Sequence, residues 1–316
     1  MPATFPVTAY PTGWFHIVYG DELRPGDVLP VSYFGRDLVC YRTEGGQACL
    51  TEAYCPHLGA HLGYGGSVRG DSLVCPFHLW EFDPSGANTC IPYAATTNRG
   101  ASLRTYPVVE AHGIVFAWFA ADRAAAGWTP ADIAIPELSD PAYAPIGRTA
   151  IEVSVHPQEI FENVVDGAHF VAIHKARQFP ELSIEADGPW LRSVATSELT
   201  SRSGSFQGVV DSQLWGLGID VNRITGAVDT FTLLTLTPVD GQRLCAHLTV
   251  GASDQQGRAK LLQSARDMVV REFEHDCVIW NHKRYEPSPA LAATEQGIGT
   301  FRRWAQQFYP AAASDR

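Results

Sequence analysis

Two short stretches of the chain each pair a cysteine with a histidine. The first is Cys55-Pro56-His57 and the second is Cys75-Pro76-Phe77-His78, with 17 residues between His57 and Cys75. Thiolates and imidazoles at such spacing are metal ligands. Gly59, Gly63, Gly65, Gly66 and Pro76 let the backbone curl round a metal centre and aim its N–H groups at sulfur. A Cys₂His₂ zinc site is one reading, but zinc fingers usually take cysteines from one knuckle and histidines from the other. Here each loop supplies one of each. That mixture suits a two-iron cluster in which two cysteines hold one iron and two neutral histidines hold the other, which raises its reduction potential.

A second constellation lies in residues 162–175, ENVVDGAHFVAIHK, where Asp166 precedes His169 and His174. Two histidines and a carboxylate on one face of Fe(II), with positions left open, are the O₂-activating triad of non-haem oxygenases. A spacing of five rotates two side chains about 140° apart on a regular helix. The helix must therefore end or bulge between His169 and His174 if both bind one metal. Gly167 can loosen it. A hydrolytic zinc motif would use a spacing of four and a Glu beside the first histidine, and neither is present.

The third ligand must come from elsewhere. A long helix expected from about Arg258 to Trp280 carries an apolar stripe through Leu262, Ala265, Val269, Phe273 and Trp280. Asp276 falls on that stripe. Glu274 and Asp267 lie about 200° and 180° away and should face solvent. Glu272 shares the face of Asp276 and is its rival. A carboxylate on a buried stripe is costly unless it is paired or metal-bound, so Asp276 is the expected ligand, with a structural salt bridge as the bland alternative.

The elements that position these residues change along the chain. The first third is a series of short β-type runs: 13–20, 29–34, 38–42, 49–53 and 114–120. Turn sequences such as RPGD, EGGQ and DPSG separate them. An Ala/Pro-rich connection from about 120 to 146 follows. We therefore expect an all-β domain over 1–130 and an α+β domain over 131–316. The latter should combine antiparallel strands at 150–155, 192–199, 205–212, 231–238 and 243–250 with helices at 158–170, 258–280 and 300–308. Pro157 suits the first turn of a helix. An apolar pocket should form between the helical residues 161–173 and the 205–250 strands.

Composition narrows the function. The chain has 316 residues, which suits about two domains, and a net charge of −11 from 34 acidic and 23 basic residues. That balance argues against nucleic acid and anionic lipid as partners. No apolar run approaches the ~18 residues of a membrane helix. The opening MPATFPVTAYPTG lacks a signal-peptide pattern, so a cytoplasmic protein is expected. Seven cysteines, an odd number, do not suggest a disulfide framework. Cys40, Cys49, Cys90 and Cys245 read as small buried hydrophobes. The remaining histidines read as packing or surface groups, with His61 and His275 the nearest to the proposed ligands.

These motifs resemble a known family. Residues 55–61 (CPHLGAH) and 75–80 (CPFHLW) look like the cluster motif of Rieske non-haem iron oxygenases, with Leu79 where that family often has Gly. Residues 274–285 (EHDCVIWNHKRY), 301–309 (FRRWAQQFY), 11–23, 33–39 and 88–94 resemble the 3-ketosteroid 9α-hydroxylase oxygenase components and the related cholesterol 7-desaturases. The resemblance implies cluster ligands Cys55, His57, Cys75 and His78, and Fe(II) ligands His169, His174 and Asp276. It also implies Asn163 close to the iron and Asp166 as an electron bridge. Such a carboxylate would accept N–H groups from a cluster histidine and an iron histidine. Within one chain of that family the two centres are too far apart, and a head-to-tail homotrimer brings the cluster of one subunit to the iron of the next.

The expected activity is a monooxygenase component that uses O₂ to hydroxylate a lipophilic, steroid-like substrate. The chain has no G-x-G-x-x-G fingerprint, so a separate flavin/iron–sulfur reductase or ferredoxin must supply electrons. Desaturation, demethylation or oxidative cyclisation of a natural product is the alternative outcome. A non-catalytic Rieske electron carrier is the alternative from another class.

Overall fold

The structure is a computed structural model that describes residues 10–201, 204–225, 229–253 and 259–309. The opening residues 1–9 and the expected helix start at Arg258 lie outside the described residues. The chain divides into two compact units. One holds Trp14–Phe119 with Ala125–Ile133. The other holds the described residues from Ala134 onward, with Ala120–Ala124 and residues 10–13.

The strands of the first unit are β1 (Gly13–Tyr19), β2 (Val28–Tyr33), β3 (Arg36–Arg42), β4 (Ala48–Glu52), β5 (Ser67–Arg69), β6 (Ser72–Val74), β7 (Glu81–Phe82), β8 (Asn88–Cys90), β9 (Thr105–Tyr106), β10 (Val108–Ala111) and β11 (Ile114–Phe119). They form three sheets, ordered β1-β11-β10, β2-β3-β4-β9 and β5-β6-β7-β8. The two Cys/His stretches are the loops after β4 and β6. Beneath them Val39, Tyr41, Leu62, Leu73, Trp80 and Phe82 pack into one core. Short strands pinned by a shared core make a rigid platform for loops.

The second unit is α+β. It runs β12 (Tyr143–Val153), α1 (Pro157–Glu162), α2 (Gly167–Ala172), β13 (Glu181–Asp187), β14 (Trp190–Ser201), β15 (Gly204–Trp215), β16 (Ile219–Thr225), β17 (Thr230–Pro238), β18 (Leu244–Ser253), α3 (Ala259–Trp280) and α4 (Gln296–Ala305). One antiparallel sheet takes all seven strands in the order β12-β18-β17-β16-β15-β14-β13. Every position of β17, TFTLLTLTP, is buried, as its β-branched and apolar content demands. α3 lies against β12 and β18. Cys277 and Trp280 enter the core there, with Val269 and Phe273 at its edge.

The helical stretch expected as one piece over 158–170 is broken. α1 starts at Pro157, where a missing N–H costs nothing. His156 caps it by accepting the Gln158 N–H at Nδ1, 3.1 Å away. After α1 the chain tightens into a 3₁₀ turn, Asn163–Val165, and then becomes extended at Asp166. Behind α1 the Glu162 carboxylate takes two hydrogen bonds from Arg302 of α4, at 2.6 and 3.0 Å. The bidentate pair fixes the helix that leads into the histidine segment.

Burial holds the His156 ring neutral and lowers its pKa to about 3. The unfolded chain therefore takes up this proton first. The stability it contributes is complete above pH ~6.5 and is lost as pH falls toward 3. His156→Asn keeps a capping side chain and removes the titration. Its stability should fall less steeply than wild type between pH 6.5 and 4.5, by up to about 1.4 kcal/mol per pH unit. Chemical denaturation across that range checks this; parallel curves would contradict it.

Candidate metal centres and substrate cavity

The two Cys/His loops share one backbone pattern. The Cys55 N–H donates to the Ala60 carbonyl, and the Cys55 carbonyl accepts the Gly59 N–H. The Cys75 N–H donates to the Trp80 carbonyl, and the Cys75 carbonyl accepts the Leu79 N–H. All four distances are 2.9–3.0 Å. The turn needs a left-handed residue, supplied by Gly59 at φ +75° and by Leu79 at φ +58°. Glycine is the ordinary occupant of such a position, so Leu79 is held there against its preference.

The loops bring their four ligand-type side chains together. Cys55 and Cys75 are buried, and their thiols are within hydrogen-bond reach of each other. His57 and His78 are half-buried, with ring centroids 4.7 Å apart. Trp80 stacks on His57 at 4.3 Å and 7°, and its indole N–H is anchored 2.7 Å from the Tyr93 hydroxyl. Backbone N–H groups of His57 and Leu58 hydrogen-bond the Cys55 sulfur. Burial pushes the Cys55 thiol up to about 11, so a thiolate forms there at neutral pH only with a metal's charge beside it. A buried thiol pair beside an outer imidazole pair is the donor division a two-iron cluster requires.

The second site is built on the break after α1. Asp166 caps α2, its Oδ1 accepting the N–H groups of Ala168 at 2.9 Å and His169 at 3.3 Å. Its backbone carbonyl, rather than its carboxylate, meets Nδ1 of His169. Gly167 lies close under the exposed Phe179 ring, which would have to shift to admit a Cβ 2.5 Å away. α2 then ends as the histidine spacing demands. The His169 carbonyl accepts both the Ile173 N–H at 2.8 Å and the His174 N–H at 3.4 Å, a widened last turn. The rings of His169 and His174 come to 5.0 Å. Asn163 sits half-buried at the end of α1.

Asp276 of α3 completes the group. One ligand atom each from His169, His174 and Asp276 lies within 4.8 Å of the others, a set that could hold a metal ion. Asp276 is 7% exposed; its Oδ2 lies 3.4 Å from His174 Nε2, and its Oδ1 is buried without a hydrogen-bond partner. A partnerless buried carboxylate oxygen is costly unless a cation sits beside it. Glu272, the rival ligand on the same face, has another task. Its Oε2 is 2.9 Å from Nδ1 of His174. With Nδ1 of each ring engaged in this way, Nε2 of each is left to face a metal. Glu274 and Asp267 point to solvent. Burial lowers the pKa of His169. At His174 burial works in the same direction, but the Asp276 and Glu272 carboxylates outweigh it and raise the pKa.

Beside this group is a cavity of ≈ 180 Å³. Its apolar walls are Ile224, Leu234, Leu248, Met268, Val269 and Phe273, with His174, Glu272 and Asp276 among its polar lining. The strand wall agrees with the sequence expectation. The helical wall does not, because α3 supplies it and residues 161–173 are not in the lining. The polar residues Asp220, Asn222 and Thr232 on β16 and β17 also line the cavity. β16 is not among the strands expected from the sequence, although Ile219, Asp220, Val221 and Asn222 alternate apolar with polar.

Residues 13–107 match the Rieske [2Fe-2S] domain family, and residues 117–309 match the 3-ketosteroid 9alpha-hydroxylase C-terminal domain family. The chain belongs to this family of Rieske oxygenases. Cholesterol 7-desaturase of Bombyx mori is 33% identical to this Rieske oxygenase over 95% of the chain and 70% of the relative. The 3-ketosteroid-9-alpha-monooxygenase oxygenase component of Rhodococcus rhodochrous is 27% identical over 98% and 86%. Among solved structures, dicamba monooxygenase bound to 3,6 dichlorosalicylic acid shares the fold, with TM-score 0.75 at 18% identity over 97% of this chain and 98% of that one. No helix among the described residues is long and apolar enough to cross a membrane.

The loop equivalence gives a test of the Rieske unit. Leu79→Gly removes a left-handed cost of ~1–2 kcal/mol and adds back ~0.5–1 kcal/mol of backbone entropy. The variant should be more stable by about 0.5–1 kcal/mol, read from thermal loss of the cluster's visible absorbance. An earlier loss would contradict the reading of that turn.

Proposed function

We propose that this chain is the terminal oxygenase component of a multi-component system that hydroxylates a neutral, lipophilic, steroid-like substrate. The carrying observation is the triad His169, His174 and Asp276, with its partnerless carboxylate oxygen, beside a largely apolar cavity. In this reading Cys55, Cys75, His57 and His78 hold the Rieske cluster, and the triad holds a mononuclear iron. When bound, the two centres supply reducing electrons and the activation of O₂.

The chain's own residues do the rest. The Asp166 carbonyl and the Glu272 carboxylate hold the two histidine rings by their Nδ1 atoms. Asp276 contributes the negative charge that a dication needs. The apolar walls keep water from the reacting carbon and select a lipophilic body. Asn163 stands as the nearby polar group of the family resemblance, and Asp166 as the bridge for electrons arriving from a cluster histidine.

A homotrimer is part of the proposal. Around His57 and His78 lie exposed apolar side chains: Leu58 at 65%, Tyr64 at 71%, Phe77 at 60% and Leu79 at 48%. Exposed apolar side chains of this kind favour burial against another protein surface. A second copy of the chain, carrying the histidine segment, is the occupant we assign to it. Electrons reach the system from a separate reductase or ferredoxin, and the protein is assigned to the cytoplasm.

Desaturation is the second reading, and the higher identity to the Bombyx mori desaturase than to the Rhodococcus rhodochrous monooxygenase favours it. Mass spectrometry of products separates the two. Sterols and ketosteroids, incubated with a surrogate reductase and O₂, should give a gain of one oxygen for hydroxylation or a loss of two hydrogens for desaturation. If none of the lipophilic compounds is oxidised, the proposal fails.

Asp166→Asn tests the bridge. Asn still caps α2, so the fold and both metal sites should survive. Turnover should fall by about 10–100-fold or more, with the cluster spectrum unchanged. Wild-type turnover in the variant would remove Asp166 from the electron path.

A further inference from the structure

The strand wall of the cavity carries a carboxyl that the metal site does not use. Asp220 on β16 is 3% exposed and lines the cavity. Its Oδ1 is buried without a hydrogen-bond partner, and the carboxyl receives a hydrogen bond from the Gln213 backbone. The cation whose charge it feels, Arg223, is committed to Glu137, with Nη2 3.0 Å from Oε2. Burial pushes its carboxyl up to about 7, which favours a neutral acid able to donate a hydrogen bond.

The cavity's lining narrows what can meet this group. Ile224, Leu234, Leu248, Met268, Val269 and Phe273 make most of its surface apolar. A pure hydrocarbon would leave Asp220 unpaired. A neutral ring body with a single ketone or alcohol oxygen satisfies both the apolar walls and the unpaired carboxyl.

We infer that Asp220 anchors the substrate, its carboxyl hydrogen-bonding a ketone or alcohol oxygen on a neutral, otherwise apolar ring system. The bond fixes which end of the substrate meets the strand wall, and hence which carbon faces the triad. Asp220 is thus a specificity-determining residue. This inference rests on the cavity being the oxidation site proposed above.

The test uses the metal-loaded protein without O₂, titrated by tryptophan fluorescence with cholest-4-en-3-one and with cholest-4-ene, which lacks the oxygen. Wild type should bind the ketone at least about 10-fold more tightly. Asp220→Leu should reduce that preference to less than about 3-fold and raise the melting temperature, because a buried unpaired carboxyl has been removed. Asp220→Asn retains a donor and should keep the preference. A Leu variant that keeps the wild-type preference overturns the inference, as does a wild type with no preference between the two compounds. A Leu variant that melts lower with its preference intact would make Asp220 structural. If wild type binds and oxidises the ketone and the Leu variant does so equally, the anchor alone fails. If wild type neither binds nor oxidises either compound, the steroid reading fails with it.

Discussion

The second unit is organised around one carboxylate that has been taken out of water. Asp276 sits on the buried stripe of α3, and one of its oxygens has no protein partner. Leaving it so would cost several kcal/mol. A divalent cation removes that cost, and the surroundings are arranged to seat one. α3 lies against β12 and β18, which fixes Asp276 in place. The widened end of α2 turns His174 back toward His169, against the rotation a regular helix would impose. Glu272, one turn before Asp276, holds the His174 ring by its outer nitrogen.

The first unit solves a related problem by repetition. Two loops of one backbone pattern deliver a buried thiol pair and an outer imidazole pair. The equivalence extends to the left-handed turn residue, where Gly59 has no side-chain penalty and Leu79 does. Trp80, fixed by Tyr93, keeps the plane of His57. The rings are thus oriented by packing before any metal is considered, which lowers the reorganisation needed on binding.

Much of this was legible in the sequence because it depended on short-range pattern. The β runs of the first third appear close to where alternation and turn residues place them. Asp276 could be distinguished from Glu274 and Asp267 by helical periodicity alone, since burial follows the stripe. β13 and β16 also carry a period-2 signal, strict alternation in ELSIEAD and the first four residues of IDVNRIT, that the strands expected from the sequence leave out. What periodicity could not show was tertiary. Glu272 was visible as a carboxylate on the right face, but its partner His174 lies 98 residues away. The helical wall of the cavity comes from Met268, Val269, Glu272, Phe273 and Asp276 of α3, and not from residues 161–173. Asp220 gave no signal, since a lone Asp in an unrecognised strand looks like a surface residue.

The central claim is that His169, His174 and Asp276 hold an iron distinct from the cluster. Iron per chain, measured by plasma emission on wild type and on Asp276→Ala, tests it most directly. Wild type should carry the cluster's two irons and one more. The variant should keep the cluster's visible spectrum and lose the additional iron. A variant that retains the wild-type iron content with an unchanged spectrum would contradict the assignment.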